Sequence, residues 1–128
     1  MMAVEPSSDP IAEAEALLKA GEHARAIALL QSRLAQGRGG ILMRLALGRA
    51  QLAAGETADA LETLRDVCEL APNLPQAALA MGDALCVANA LPAAIAEYER
   101  ALRLDQGHEA AQLALARTWL DVGEFERA

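Results

Sequence analysis

The chain has 128 residues, a formal net charge of −7 and an apolar content of 54%. That length suits one domain with a real core, and that apolar content excludes a disordered chain. The ten arginines and the single lysine, Lys19, form no basic cluster. Electrostatic capture of nucleic acid or of an anionic membrane surface is therefore not expected.

In chain order, "MMAVEPSSDP" has neither a basic n-region nor an apolar h-region and is not a secretory signal. Residues 1–8 read as a disordered tail. Asp9 and Pro10 then predict a helix start, with Asp as the cap and Pro at the first helical position. This helix ends at Gly21, and a second apolar-periodic stretch runs to "GRGG" (37–40), a linker without the strand or lysine of a phosphate-binding loop. Block 41–74 again holds two such stretches, split at Gly55, and Pro72 and Pro75 bracket the turn that follows. Block 75–108 is split at Asn89, with Pro92 in the first turn of its second helix. The last segment predicts a helix to Val122, a turn at Gly123 and the start of another helix, in which Ala128 should pack against Ala116.

Composition agrees with this series of helices. There are 31 alanines and 21 leucines, the strongest helix formers, against four Val, four Ile, three Thr and one each of Trp, Tyr and Phe. The fold class is all-α. The longest uncharged runs, 71–82 and 84–96, are too short to span a bilayer. Cys68 and Cys86 read as reduced core thiols, and the cytoplasm is the expected location.

The segments repeat. Gly21, Gly55, Asn89 and Gly123 are spaced by 34 residues, and an alanine follows each by five: Ala26, Ala60, Ala94 and Ala128. Asn is the best non-Gly residue for the left-handed conformation that ends a helix. A small residue recurs in each preceding helix, as Ala14, Gly48, Gly82 and Ala116, and pairs such as Gly48 with Ala60 should let the two helices approach. The blocks are 7–40, 41–74, 75–108 and a partial 109–128, together forming one unit over 9–128.

A gapless 34-residue period of this kind resembles the tetratricopeptide repeat. Block 41–74 carries Leu47, Gly48, Ala60, Val67 and Pro72 at that family's spacing. Block 75–108 keeps Met81, Gly82, Ala94, Tyr98 and Ala101, with Gln106 where Pro is usual. Leu17, Gln51 and Leu85 stand where the family often has Tyr, and Leu30 and Leu64 replace an aromatic that only Tyr98 retains. Ankyrin and HEAT periods do not fit, and the RNA-binding pentatricopeptide repeat suits an acidic surface poorly. The resemblance implies a right-handed α–α superhelical solenoid of helix–turn–helix repeats.

No enzyme constellation is present, and no cofactor or metal site is expected. The serines are Ser7, Ser8 and Ser32, and the histidines His23 and His108 fall in turns two repeats apart. Neither HExxH nor CxxC occurs. Glu56, Asp59, Glu62, Glu69, Glu97 and Glu99 read as solvated faces of the second helices. Function is expected in a surface instead.

By the resemblance, the first helices line a concave groove. One row across it is Ile11, Leu45, Leu79 and Leu113, and another is Leu18, Leu52, Cys86 and Leu120. Between them Glu15, Arg49, Asp83 and Arg117 alternate in sign, a pattern expected to form inter-repeat ion pairs. Some members of the family clamp a peptide's terminal carboxylate with Lys, Asn and Arg. Ile11, Glu15, Ala46, Gln76 and Ala80 occupy the corresponding positions here, so that clamp is absent.

The reading is a non-catalytic protein-interaction scaffold that takes a partner peptide or helix in a partly apolar groove. The alternative is an N-terminal substrate-positioning or assembly module of a larger bacterial enzyme of sulfotransferase, methyltransferase or glycosyltransferase type. The ending at Ala128 reads as a cut through a longer array. Leu115 and Trp119, left uncovered on the last helix, then predict self-association.

Overall fold

The computed structural model describes residues 9–37 and 39–127, with side chains through Gly123. The tail expected at 1–8, the linker residue Arg38 and the expected packing of Ala128 on Ala116 lie outside the described residues. The described residues form seven helices and no strand: α1 (Pro10–Lys19), α2 (His23–Ala35), α3 (Ile41–Ala53), α4 (Thr57–Leu70), α5 (Pro75–Val87), α6 (Leu91–Leu104) and α7 (Glu109–Arg127).

Local chemistry sets the helix ends. Asp9 Oδ1 accepts the Ile11 N–H at 3.0 Å, and Pro10 needs no donor partner at the first helical position. Pro75 opens α5 and Pro92 is the second residue of α6, both without a side-chain cap. The first helix of each complete pair ends at a residue with positive φ: Gly21 at 80°, Gly55 at 83° and Asn89 at 62°. At each of these ends the next N–H reaches back five residues, from Glu22 to Leu17, Glu56 to Gln51 and Ala90 to Leu85. This pairing satisfies carbonyls that the helix end would otherwise leave open. At α7, His108 Nδ1 accepts the Ala111 N–H at 3.3 Å.

Gly123 departs from the pattern. The predicted turn is absent, and α7 continues through Gly123 to Arg127. Among the described residues no later helix packs on α7, so nothing offsets the helical hydrogen bonds that a turn there would break.

Each helix packs on its chain neighbours, and α1, α3, α5 and α7 also pack on one another in sequence. No such contacts join α2, α4 and α6. Closer spacing of the odd-numbered helices makes their side the concave one. The core lies between the two layers. Leu30, Leu64 and Tyr98, at the repeated large position of the even helices, are all within 2% of full burial. Leu64 and Tyr98 come nearest to the glycines opposite them. A β-carbon on Gly48 would lie 2.5 Å from Leu64 Cδ2, and one on Gly82 would lie 2.5 Å from Tyr98 Cε1.

Candidate interaction surface

The concave side carries a cleft of about 240 Å³ between α1, α3 and α5. It brings together five of the residues expected in the groove: Ile11, Glu15, Leu18, Leu45 and Arg49. Ala14, Leu42, Ala46 and Gln76 complete its wall. Leu42 is 59% exposed and escaped the sequence reading. Its counterpart 34 residues on is Gln76, so no apolar row marked it.

The remaining expected residues divide by depth. Leu45 is only 4% exposed and belongs to the core between α3, α4 and α5, so only its edge reaches the cleft. Leu52 packs against that same core, while Leu79 and Cys86 pack against the cores of the last two repeats. Leu113 and Leu120 on α7 are 67% and 68% exposed. Val87, beside Cys86, is exposed as well and was also missed. The concave face thus runs from a half-enclosed cleft at α1–α5 to open leucines on α7.

The alternating charges do not pair with one another. Among the described residues the ion pairs are Arg25–Glu22 and Arg100–Glu97, each between residues three apart in the chain. Glu15, Arg49 and Arg117 are exposed and take part in neither. Glu97 differs from the other second-helix carboxylates in being half-buried beside Arg100.

Asp83 is engaged elsewhere. The Tyr98 hydroxyl donates to Asp83 Oδ1 at 2.6 Å, joining α5 to α6. Cys86 Sγ lies 3.4 Å from the same hydroxyl and 3.6 Å from Thr118 Oγ1, while Thr118 donates to the Ala114 carbonyl at 2.7 Å. Both hydroxyl hydrogens are therefore committed, leaving the Cys86 S–H as the available donor between them. Burial, then the bond to Asp83, holds the Tyr98 hydroxyl far above its ordinary pKa. Cys68 donates to the Ala77 carbonyl, and burial pushes its thiol up, against the lowering effect of Arg100. Both cysteines are free.

Among the described residues no group of His, Cys, Asp or Glu is placed to hold a metal ion, and no helix is long and apolar enough to cross a membrane. A family model described as a tetratricopeptide repeat matches residues 17–84, more than half of the chain. The chain belongs to the tetratricopeptide repeat family.

No curated protein matches it in sequence. Solved tetratricopeptide domains match it in fold. The first such domain of human RPAP3 is 18% identical with a TM-score of 0.83, covering 93% of this chain and 94% of that one. The Sgt2 domain of Aspergillus fumigatus is 22% identical with a TM-score of 0.83, covering 98% and 85%. The first domain of Spaghetti (RPAP3), bound to the HSP90 peptide SRMEEVD, is 18% identical with a TM-score of 0.79, covering 89% and 90%.

As a tetratricopeptide chain it is unusual in its side-chain sizes. Gln51 replaces an aromatic and is buried at 6% exposure, its Oε1 accepting the Thr63 hydroxyl at 2.7 Å. A hydrogen bond between α3 and α4 stands there in place of ring packing. Trp119, at the equivalent place on α7, is 53% exposed.

Proposed function

We propose that the concave face is the working surface of a non-catalytic scaffold and takes a partner peptide or helix. The observation that carries this reading is the apolar cleft at α1–α5 together with the exposed Val87, Leu113 and Leu120. Exposed apolar residues gathered along a groove point to a binding site. A related fold holds the HSP90 peptide SRMEEVD, which supports peptide binding as the type of activity. The mode would differ here. Ile11, Glu15, Ala46, Gln76 and Ala80 offer no cationic clamp for a terminal carboxylate, so side-chain burial has to supply the affinity. A cytoplasmic setting fits the two free thiols.

The test uses residues that differ in depth. Leu42→Glu and Leu113→Glu change exposed positions and should leave helical circular dichroism and the melting curve unchanged. They should abolish capture of partners from the native host by the full-length protein. Leu45→Glu puts a charge in the core and should unfold the chain, so it serves as the contrast. Unchanged capture by the two surface variants would refute the reading.

A further inference from the structure

We infer that the open face of α7 pairs, antiparallel, with α7 of a second copy through the stripe Gln112, Ala116, Trp119 and Gly123. The α5–α6 pair shows what such a stripe takes. Ala78, Gly82 and Leu85 stand 34 residues before Gln112, Ala116 and Trp119, and α6 covers all three. Ala78 shares a buried cluster with Ala101, the Tyr98 ring fills the space beside Gly82, and Leu85 packs on Ala94 and Tyr98. The covering helix thus offers a small, a large and a small residue, in the order Ala101, Tyr98 and Ala94.

On α7 the same face is open. Gln112, Ala116 and Trp119 are exposed, and a β-carbon on Gly123 would meet nothing within 4 Å. Leu115, expected to be uncovered, packs instead against the cluster of Ala94, Tyr98 and Ala114. Leu113 and Leu120 lie about a quarter-turn round the helix, so the stripe is a different surface from the groove.

The stripe itself names its occupant. Read backwards, Gly123, Trp119 and Ala116 are again small, large and small, as Ala101, Tyr98 and Ala94 are on α6. α7 therefore carries both halves of the pairing that α5 and α6 build between them. A two-fold axis between residues 117 and 118 sets Ala116 against Trp119 of the second copy, and Gln112 against its Gly123. Every layer then joins a large residue to a small one.

The spacing of four, three and four residues is that of a coiled-coil seam. Gly123 can join it only because α7 runs on as helix where the earlier repeats turn. The stripe holds no charge, and Arg117 and Asp121, the charges within its span, fall more than a quarter-turn away. It is about 17 Å long, which places the contact among small interfaces and makes the pairing weak and reversible.

Sedimentation velocity on the whole chain tests this, from about 10 μM to about 1 mM in a salt that screens the net negative charge over about 8 Å. The mass should rise toward twice that of the chain. Trp119, the single tryptophan, should shift its emission to the blue in step. Ala116→Trp alone crowds two rings together and Trp119→Ala alone leaves two gaps, so each should weaken pairing about tenfold. Ala116→Trp combined with Trp119→Ala returns one large residue to each central layer. That double variant should pair within about threefold of the original, with circular dichroism unchanged throughout.

A chain that stays monomeric at about 1 mM would overturn the inference and leave the groove reading untouched. So would pairing that ignores both single variants, a double variant that does not recover, or assemblies larger than two. Leu42→Glu, in the groove, should pair normally, and loss of pairing there would move the contact to the groove and overturn it as well.

Discussion

The ring of Tyr98 fills the space that a side chain on Gly82 would need: a β-carbon there would lie 2.5 Å from Cε1 and 2.7 Å from Cδ1. Tyr98 is 2% exposed and its hydroxyl is tied to Asp83, so the ring can neither swing nor slide. Gly82→Ala gains up to about 1 kcal/mol of helix propensity. Overpacking should outweigh it and leave a net loss of about 1–2 kcal/mol, read by urea unfolding. Gly48→Ala faces the Leu64 side chain, also fully buried, and should lose less because a leucine has a rotamer to give.

Tyr98 also predicts an alkaline weakness. Its folded pKa is raised by burial and by Asp83, so above the ordinary tyrosine range the unfolded chain releases a proton that the folded chain keeps. The contribution is complete below about pH 10, the unfolded value, and is lost as pH rises above it. The loss approaches about 1.4 kcal/mol per pH unit for one proton. Tyr98→Phe should be less stable at neutral pH and should show a shallower decline above pH ~10. Parallel curves for the two proteins would refute this.

Arg100 braces the turn between repeats. Its Nη2 donates to the Pro72 carbonyl at 2.6 Å, and its Nη1 pairs with Glu97 at 3.3 Å. Because the group is partly solvated, Arg100→Met should cost about 1–2 kcal/mol rather than the full value of a buried charged bond. A second readout is the Cys68 thiol, which Arg100 holds down against burial. In the variant that thiol should be alkylated more slowly at pH 8, by mass spectrometry of the Cys68 peptide.

Asn89 does the work of glycine at φ 62°. Asn89→Gly should be neutral to slightly stabilising, since relief of a left-handed side chain offsets the added freedom of the unfolded chain. Asn89→Ala should cost about 1 kcal/mol, because alanine has no local side-chain bond to favour that conformation. Equal midpoints in urea for the two variants would contradict it.

Much of the fold was legible because helix ends are written locally. Gly21, Gly55 and Asn89 mark the three turns, and Asp9, Pro10 and Pro92 mark starts. Gly123 misled because a glycine permits a turn without requiring one; the packing of a following helix decides. The groove was legible in part. Ile11, Glu15, Leu18, Leu45 and Arg49 do share a cleft. Depth was not legible: Leu45 and Leu113 occupy the same place in the repeat, yet one is 4% and the other 67% exposed. Nor was the fate of Asp83, whose partner is a tyrosine 15 residues away on another helix rather than a neighbouring arginine.

The stacking joins each helix to its chain neighbours and to the next first helix only, and nothing links α1 to α7. Such a molecule has no keystone. Its inner helices are held from both sides, and α1, with Ala14 its one buried residue, is held from one. A partner laid along the concave row would be the first element to touch repeats that otherwise never meet. It would act as a splint, turning a chain of local agreements into a single body that yields all at once.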